Sequence, residues 1–299
     1  MSDEVKKCGV VAILGRPSVG KSTFLNSVCD QKVSIVSEIP QTTRNSIRGI
    51  YNDERGQLIF IDTPGYHLSE KKFNSKLGTI ARQALQDADA ILYMVDSTRK
   101  MGKEEDAICE MLQPFAEKTI LALNKIDRED SYAGMSSIFI SGSLKGLSSS
   151  QIVRISAKEK TDMASVLEKL FSIVPCGDIL YPEDCYTDQA PDFRIAEIIR
   201  EQAIIRVREE IPHSLYVEIA DMEWEKPGKI LWVRAFLTVE AESQKPILIG
   251  KGASVIKEIR IESMKALRKI FDYRVHLDLK VKVNKKWRSR DKLLDRLIY

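Results

Sequence analysis

Apolar residues along the first 175 positions follow two different spacings. Short β-branched runs predict six strands, and stretches with apolar residues every three or four positions predict four helices. Strands that alternate with helices favour a mostly parallel sheet with helices on both faces, an α/β fold. The predicted strands are 8–14, 47–51, 58–61, 90–95, 119–123 and 152–155, and the predicted helices are 21–29, 72–87, 103–115 and 163–174.

The pattern changes after residue 175. Residues 176–190 have neither spacing and are predicted to be a linker. An amphipathic helix is expected to end just before Pro212, because the residue before a proline disfavours helical backbone. The order α-β-β-α-β then predicts a second, α+β domain, so the chain divides into 1–175, the linker and 191–299. Its predicted elements are a helix at 192–211, strands at 215–224 and 229–240, a glycine loop at 250–252, a helix at 253–271 that could break near Ile261, and a strand at 274–283.

The composition is that of a soluble globular protein. Of 299 residues, 43% are hydrophobic and 30% are charged, which is ordinary for chains that bury a core. Apolar runs such as residues 10–14 are far shorter than the ~20 residues that span a bilayer. The N-terminal residues show no charged-then-apolar export signal. Five scattered cysteines without a Cys-x-x-Cys pair favour a reducing cytoplasm over a disulfide framework or a zinc site.

Positive charge is concentrated toward the C-terminal end. Residues 1–176 carry 23 Lys and Arg against 22 Asp and Glu, and residues 177–244 carry 7 against 15. Residues 245–299 carry 16 against 6, a net charge of +10. Such an excess favours a polyanionic partner, either a nucleic acid or an anionic membrane surface, over a merely solvated charged face.

A glycine-rich loop lies between the first predicted strand and the first predicted helix. Gly15-x-x-x-x-Gly20-Lys21-Ser22 has the spacing of a phosphate-binding P-loop, in the strand–loop–helix context that the motif requires. The glycines let backbone N–H groups converge on phosphate oxygens, and the helix N-terminus favours negative charge. Lys21 is predicted to reach the outer phosphates and Ser22 to ligate Mg²⁺.

Three further motifs follow predicted strands and indicate a guanine nucleotide. Asp62-Thr63-Pro64-Gly65 offers a carboxylate for Mg²⁺ and, at its glycine, an N–H for the terminal phosphate. In Asn124-Lys125-Ile126-Asp127, the Asp carboxylate can accept from the N1–H and 2-amino groups of guanine, which adenine lacks. Ser156-Ala157-Lys158 places a backbone N–H to meet guanine O6. The order and strand-end placement of all four motifs predict GTP, not ATP.

The first domain resembles the TRAFAC-class GTPases of the Era type. Pro40-Gln41-Thr42-Thr43-Arg44 is similar to the switch I motif of that family, which implies that Thr43, rather than Thr42, senses Mg²⁺ and the γ-phosphate. The resemblance implies Mg²⁺ held by Ser22, Thr43 and Asp62, and catalysis through Lys21, Thr43 and Gly65. The implied nucleotide-binding residues are Gly15, Arg16, Pro17, Ser18, Val19, Gly20, Lys21, Ser22, Thr23, Asp62, Thr63, Pro64, Gly65, Tyr66, Asn124, Lys125, Ile126, Asp127, Ser156, Ala157 and Lys158.

Two positions of this site depart from other GTPases. Ras-like enzymes have a water-orienting glutamine directly after the Asp-x-x-Gly motif, whereas this chain has Tyr66 followed by His67. Era-like GTPases share a hydrophobic residue there, so the resemblance implies slow intrinsic hydrolysis. Several relatives bind K⁺ through a P-loop asparagine. Ser18 stands at that place and offers a shorter, weaker oxygen, which leaves K⁺ activation open.

The second domain resembles a type II KH domain. Residues 247–259 are similar to the KH signature, and the α-β-β-α-β order is that of the domain found at the C-terminus of Era-type proteins. The family pattern Gly-x-x-Gly lets an RNA backbone approach main-chain N–H groups beside cationic side chains. It would end at position 253, where this chain has an alanine. The predicted RNA contacts of this segment are Gly250, Lys251, Gly252, Ala253 and Lys257.

Cations beside an aromatic ring follow the last predicted strand. Lys285, Lys286, Trp287 and Arg288 are predicted to extend the RNA surface. The Trp287 ring could stack on a base, worth about 1–3 kcal/mol, or could cap the domain core. The sequence leaves these two roles for Trp287 equal.

The resemblance covers both domains and implies a checkpoint in ribosome assembly. Era-type proteins bind the 3′ end of small-subunit (16S) ribosomal RNA in the GTP state and act in assembly of the 30S subunit, with the switch loops controlling the KH domain. The resemblance further implies GTP or GDP with Mg²⁺ as ligands, a monomer, and a cytoplasmic location with a peripheral fraction at the cell inner membrane. Two alternatives remain open: a GTP-dependent regulator on anionic lipid, and an RNA-binding adaptor that hardly turns GTP over.

Overall fold

The computed structural model describes residues 6–37, 39, 42–66, 72–208 and 210–297, with the side chains of 72–76, 80 and 296 left aside. These residues form two compact units. The first contains the described residues up to Ser34 and from Thr42 to Asp188; the second contains those from Ile35 to Ile39 and from Gln189 to Leu297.

The first unit is built on a six-stranded sheet in the order β2-β3-β1-β4-β5-β6. Neighbouring strands are parallel except for β2, which pairs antiparallel with β3. All six predicted strands are confirmed with bounds that differ by at most two residues, and the α/β class is confirmed with them. The strands are β1 Lys7–Leu14, β2 Ile47–Asp53, β3 Gly56–Asp62, β4 Ala90–Asp96, β5 Thr119–Asn124 and β6 Ile152–Arg154.

In the part of the chain that the structure describes, five α-helices accompany this sheet, four of which were predicted. Helix α1 Lys21–Cys29 and helix α2 Lys72–Asp87 have the predicted bounds. Helix α3 Lys103–Leu112 is shorter than predicted because Pro114 lies in a 3-10 turn that follows it. Helix α4 Ala133–Ser143 was not predicted, and helix α5 Met163–Ile173 ends one residue early.

The central strands of the sheet are buried on both faces. Every residue of β4 and of β5 is buried, and the core of this unit contains apolar side chains from both strands and from the helices that cover them. Near-continuous apolar runs are typical of parallel strands covered on both sides. The polar side chains that matter for chemistry therefore lie where these strands end.

Residues 176–188, predicted as linker, contain no helix or strand in the structure but are held along β2 and β3. The Ile50 N–H donates to the Tyr186 carbonyl oxygen at 3.0 Å. The fully buried Gln57 donates to the Tyr181 carbonyl oxygen at 3.0 Å and accepts from the Tyr181 N–H at 3.1 Å. Satisfying that buried amide ties the segment to the first unit.

The second unit has a three-stranded sheet in the order β7-β8-β9, with β7 antiparallel and β9 parallel to β8. The predicted order α-β-β-α-β and the α+β class are confirmed, and short helices are added between the predicted elements. The elements are α6 Pro191–Arg206, α7 Ile211–Ser214, β7 Tyr216–Lys226, β8 Ile230–Val239, α8 Lys245–Ile249, α9 Ser254–Leu267, β9 Arg274–Val283 and α10 Asp291–Leu297.

Two details of this unit correct the sequence prediction. Helix α6 ends at Arg206 rather than at the predicted Ile211, and Pro212 lies in the first turn of the separate helix α7, where its missing N–H costs nothing. Helix α9 is continuous through Ile261, so the predicted break there is wrong.

A short segment from the first half of the chain is part of the second unit. Ile35 is buried in the core of the second unit. The neighbouring Val36 N–H donates to the Glu201 Oε1 atom at 2.8 Å. The segment directly before switch I is thus anchored by apolar burial and by a carboxylate of α6.

Candidate nucleotide-binding site

The P-loop lies between the end of β1 and the start of α1, as predicted. Gly15 and Gly20 have φ angles of 155° and 105°, which L side chains rarely adopt. A Cβ atom on Gly15 would lie 2.3 Å from the Met94 carbonyl oxygen. Because both positions require glycine, the backbone between them is free to turn its N–H groups toward a bound phosphate.

The Lys21 ammonium is buried beneath this loop, with 6% of the residue exposed. It donates to the carbonyl oxygens of Gly15 at 3.2 Å and Arg16 at 3.1 Å. Burial lowers the pKa of Lys21 to about 8, and the nearby Asp62 carboxylate counteracts part of that effect. Burial likewise raises the pKa of Asp62, which Lys21 partly offsets. A phosphate placed beside the ammonium would favour its charged form.

This shifted pKa predicts that Mg²⁺·GDP binding takes up a proton at pH 8. Free protein with a Lys21 pKa of about 8 is half protonated there, and the bound phosphate raises that pKa, so about half a proton is expected per nucleotide. The affinity is then full below pH 8 and falls as pH rises through 8. Titration calorimetry in two buffers of different ionisation enthalpy measures the uptake. Uptake near zero at pH 8 would contradict this assignment.

Four oxygen-bearing side chains converge at the start of α1. The Ser22 Oγ donates to the Asp62 Oδ2 atom at 2.6 Å and lies 3.0 Å from the Thr43 Oγ1 atom. The Ser34 hydroxyl also donates to Asp62 Oδ2, at 3.0 Å. The buried Asp62 Oδ1 atom has no hydrogen-bond partner among the described residues.

This oxygen cluster fits a hard cation. A fully buried carboxylate with an unpartnered oxygen, in a cluster with three hydroxyls, is the ligand chemistry that Mg²⁺ prefers. Ser22, Asp62 and Thr43 would hold the ion, which when bound would neutralise charge on the phosphate oxygens. Of the two threonines of switch I, Thr43 is the one that reaches Ser22. Pro40 and Gln41 lie outside the described residues.

The Asp-Thr-Pro-Gly motif lies against the P-loop. The Thr63 hydroxyl donates to the Ile13 carbonyl oxygen at 2.7 Å, which fixes the end of β3 beside β1. A Cβ atom on Gly65 would lie 2.7 Å from the Pro17 Cα atom, so only glycine fits this approach. The Tyr66 N–H donates to the Gly15 carbonyl oxygen at 3.1 Å, and its ring packs against the core of the first unit. His67 lies outside the described residues.

Asn124 joins the guanine side of the site to the P-loop. Its Nδ2 donates to the Val19 carbonyl oxygen at 2.7 Å, and its Oδ1 accepts from the Ala157 N–H at 2.9 Å. A Cβ atom on Gly20 would lie 2.3 Å from the Asn124 Nδ2 atom. Three of the four predicted motifs therefore meet at one buried amide side chain.

The predicted base-reading groups were the Asp127 carboxylate and the Ala157 N–H. In the structure the Ala157 N–H donates to Asn124, and Asp127 lies against Ser156. The Ser156 hydroxyl donates to the Asp127 Oδ1 atom at 2.6 Å, and Asp127 is exposed. This bond orients the carboxylate and leaves Oδ2, together with a lone pair on Oδ1, to accept the two bonds from a guanine base. The remaining predicted residues belong to the same four motifs: Thr23 is in the first turn of α1, Pro64 is buried, Ile126 donates through its N–H to the Ile155 carbonyl oxygen, and Lys158 is on the surface beside Glu159.

Several residues at the site were not predicted from the sequence. Ser34 reaches Asp62, and a group on β4, on α3 and in the loop between them contacts the P-loop directly or through Lys125. Asp96 could have been noticed because it is a charged residue at the end of an apolar strand. The others belong to no recognisable spacing. The residues of that group are Asp96, Arg99, Glu104 and Glu105.

In the second unit, the predicted RNA-binding loop is exposed between α8 and α9. Gly250 has a φ angle of 74°, and a Cβ there would lie 2.6 Å from a Val255 side-chain carbon. Ala253 also has a left-handed φ, 62°, directly before α9. An L residue pays about 1–2 kcal/mol in that region. Three residues of this loop, Gly250, Gly252 and Ala253, have positive φ angles, and of these only Ala253 carries a side chain.

The tail residues differ from one another in what they contact. Lys285 and Lys286 are exposed. Trp287 is only 1% exposed; its Nε1 donates to the Ser214 carbonyl oxygen at 2.7 Å and its ring packs edge-to-face on Tyr216. The prediction that Trp287 contacts RNA is therefore not supported, because the ring caps the core. Arg288 donates to a Glu240 oxygen through Nε at 2.9 Å, so its charge is already paired.

Both units match families of known proteins. A family model described as a 50S ribosome-binding GTPase matches residues 10–125, and a KH-domain model matches residues 210–288. Together with the P-loop geometry, these matches define a P-loop GTPase joined to a KH domain. GTPase Era of Treponema denticola is 55% identical over 291 residues, covering 97% of this chain and 99% of its own. GTPase Era of Borreliella burgdorferi is 45% identical over 292 residues, covering 98% of this chain and 99% of its own. The chain belongs to the Era family of GTPases.

Two solved structures are similar over nearly the whole chain. A single-residue variant of Aquifex aeolicus Era bound to GDP·AlF4⁻ has a TM-score of 0.90 at 33% identity and covers 97% of this chain and 98% of its own. Era in complex with MgGDPNP and nucleotides 1506–1542 of 16S ribosomal RNA has a TM-score of 0.91 at 33% identity, covering 98% of each.

Proposed function

We propose that this GTPase uses its nucleotide state to control binding to the 3′ end of 16S ribosomal RNA during 30S subunit assembly. The observation that carries the proposal is the convergence of Lys21, Ser22 and Asp62 in a unit whose chain continues into a KH fold with an exposed Gly-Lys-Gly-Ala loop. An Era protein has been seen with MgGDPNP and with nucleotides 1506–1542 of that RNA, which supports the same pairing of ligands here.

The residues of the first unit divide the work of binding and hydrolysis. The buried Lys21 ammonium and the P-loop N–H groups would hold the outer phosphates, while Ser22, Thr43 and Asp62 would hold Mg²⁺. The Gly65 N–H, close to Pro17, would meet the terminal phosphate. The Tyr66 side chain has no amide group that could orient a water molecule as a glutamine does, and it packs against the core. We therefore expect slow hydrolysis in the absence of a partner.

The second unit would supply the RNA contacts. Lys251, Lys257, Lys285 and Lys286 are exposed and carry the positive charge of the C-terminal segment outward. KH domains clamp single-stranded RNA with a glycine loop and neighbouring cations. Arg288 is occupied by Glu240 and Trp287 by the core, so we assign both to folding rather than to RNA contact.

Binding of a labelled 16S 3′-end oligonucleotide, with a non-hydrolysable GTP analogue and with GDP, tests the proposal. We expect tighter binding with the analogue. Replacing Lys251 with alanine should weaken binding and reduce the slope of log affinity against log salt by about 0.7. Lys265→Ala, on the exposed face of α9 and paired with Glu262, is the matched control and should change neither. Equal affinity in the two nucleotide states would overturn the switch.

Replacing Ala253 with glycine should stabilise the second unit and strengthen RNA binding. Removing the Cβ relieves the left-handed strain, worth about 1 kcal/mol, and lets an RNA backbone come closer to the loop. Ala266→Gly, in the last turn of α9, should instead destabilise by about 0.5–1 kcal/mol. Urea denaturation and oligonucleotide titration measure both effects. Equal signs for the two substitutions would contradict the strain assigned to Ala253.

Ser18 makes a K⁺ requirement a separate question. Its buried Oγ has no partner among the described residues, and its φ angle of 62° is one that asparagine adopts more readily. We expect hydrolysis by the unaltered protein to be equal in K⁺ and Na⁺ within about twofold, because a hydroxyl is a short and weak ligand. Ser18→Asn should gain stimulation specific to K⁺. Strong K⁺ stimulation of the unaltered protein would show that Ser18 suffices.

The net charge of +10 in residues 245–299 also suits an anionic membrane surface. No helix among the described residues is long and apolar enough to cross a bilayer. We propose a cytoplasmic protein with a peripheral fraction at the inner membrane. Vesicles containing anionic lipid, added to the RNA titration, separate the two partners: preference for vesicles over RNA would favour the membrane regulator. Undetectable phosphate release with RNA and K⁺ present would favour a passive adaptor.

A further inference from the structure

We infer that Asp96 and Arg99 are positioning residues for the nucleotide site, which hold the outer turn of the P-loop at Pro17 and Ser18. Asp96 ends β4, and Arg99 follows it in the loop that leads to α3. Neither belongs to a GTPase motif recognised in the sequence. The inference rests on the nucleotide-binding function proposed above and concerns how the phosphate-binding backbone keeps its shape.

The Asp96 side chain is buried, with 2% of it exposed, and both of its oxygens are used. Oδ1 accepts from the Thr98 N–H at 3.1 Å and from the Thr98 hydroxyl at 2.7 Å. Oδ2 lies 2.6 Å from the Lys125 ammonium and 3.2 Å from the Arg99 Nε atom. Burial alone would raise the pKa of Asp96, but the bonds from Lys125 and Thr98 outweigh it and lower that pKa.

Both cations that Asp96 holds also reach the P-loop. The Lys125 ammonium donates to the Ser18 carbonyl oxygen at 3.0 Å. The Arg99 Nη1 atom donates to the Pro17 carbonyl oxygen at 2.9 Å. One buried carboxylate therefore orients two donors onto two successive carbonyl groups. Charge-assisted bonds of this kind are the stronger ones in proteins, and their geometry is fixed by the shared anion.

The neighbouring residue of the loop is held from the same side. The Arg16 guanidinium pairs with Glu104 at 2.5 Å and with Glu105 at 2.8 Å, both in the first turn of α3. Residues 16, 17 and 18 are thus each attached to the segment 96–105 or, through Lys125, to Asp96. The P-loop begins and ends with glycines, and Ser18 between them has a left-handed backbone. Such a turn needs outside support to keep its N–H groups directed at a phosphate.

The main alternative is that Asp96 merely stabilises the fold. Its removal would then lower the stability of the folded protein to the same extent with or without nucleotide, and would not change the affinity for nucleotide. A positioning role acts on the affinity of the folded protein for nucleotide. Arg99 separates the two roles well. Its side chain is 38% exposed, and Asp96 keeps Lys125 and Thr98 as partners when Arg99 is removed.

The test measures GDP dissociation from the full chain and the melting temperature of the nucleotide-free protein. We expect Asp96→Asn to speed GDP dissociation at least tenfold and Arg99→Ala to speed it about threefold to tenfold. The KM for GTP should rise while kcat changes less than about threefold, since neither residue reaches the reacting phosphate. The double variant should be no worse than Asp96→Asn alone, because Asp96 acts through Arg99 and Lys125, and without Asp96 the Arg99 side chain is no longer held at Pro17.

Asp130→Asn is the matched control, a nearby aspartate with 53% of its side chain exposed and paired with Arg128. Its GDP dissociation rate should stay within about twofold of the unaltered protein. Arg99→Lys keeps the charge but has one nitrogen for two partners, so it should behave like Arg99→Ala. Lower melting temperatures with unchanged GDP dissociation in Asp96→Asn and Arg99→Ala would overturn the inference. Failure of the unaltered protein to bind GDP would instead overturn the proposed function.

Discussion

Replacing Asp127 with asparagine is expected to lower the affinity for GTP by at least about a thousandfold and to let xanthosine triphosphate bind instead. The carboxylate can accept two hydrogen bonds from guanine, at N1–H and at the 2-amino group. An asparagine presents one acceptor and one donor, which match the N1–H and the 2-oxo group of xanthine. The loss is large because a buried amino group of guanine would face another donor.

The local structure makes this substitution a clean one. The Ser156 hydroxyl donates to Asp127 Oδ1 at 2.6 Å and can donate equally to an asparagine Oδ1. Competition of GTP and xanthosine triphosphate against a fluorescent guanine nucleotide measures the change. Asp130→Asn, three residues along and exposed, should leave the preference for GTP intact. Retained GTP affinity in Asp127→Asn would show that another group reads the base.

Replacing Trp287 with alanine is expected to lower the free energy of unfolding of the second unit by about 3–5 kcal/mol. The ring is among the largest fully buried side chains, and its removal leaves both a cavity beside Tyr216 and an unpaired Ser214 carbonyl oxygen. Trp287→Phe keeps most of the volume but loses the hydrogen bond, so about 1–3 kcal/mol is expected. Urea denaturation followed by circular dichroism measures both values.

Trp224 provides the comparison. It also packs edge-to-face on a tyrosine, Tyr273, but is 46% exposed, so Trp224→Ala should cost less than about 1.5 kcal/mol. The alternative role for Trp287 makes an opposite prediction. If its ring stacked on a base, Trp287→Ala would weaken RNA binding while leaving the free energy of unfolding unchanged, and that result would refute the structural assignment.

The strands of the first unit could be predicted closely because strands in the middle of a covered sheet are buried on both faces and therefore consist of apolar residues. β4 and β5 are buried on both faces, so their sequences are apolar throughout and bounded by polar residues. Helix α4 had no such signal. It contains Gly134 and Gly142, and Met135 and Ile138 are 70% and 72% exposed, so the apolar residues do not mark its buried face.

The predicted end of α6 was wrong for a different reason. The rule about the residue before a proline restricts Ile211, yet the helix had already ended at Arg206, and Pro212 was free to sit in the first turn of α7. A proline sets an outer limit on a helix and also suits the start of another. Sequence alone does not say which effect applies.

At the nucleotide site, the residues that would touch the ligand were predictable and those that support them were not. Lys21, Asp62 and Asp127 recur at fixed spacings after strands because phosphates, Mg²⁺ and guanine impose the same geometry wherever they bind. Asp96 and Arg99 come close to the P-loop only in the folded chain. The two segments are far apart in the sequence, so no motif spacing indicates the contact. Trp287 was ambiguous for the same reason, since burial of its ring depends on α7 and β7.

The close approach of Asn124 to Gly20 has a consequence for how this family can vary. A methyl group on Gly20 would overlap the Asn124 amide, which in turn bonds to Val19 and Ala157. Neither position can change alone: an alanine at 20 would add this overlap to the strain of a φ angle of 105°, and a smaller residue at 124 would lose two hydrogen bonds. Two motifs more than a hundred residues apart are therefore inherited as one character, and lineages should lose them together or not at all.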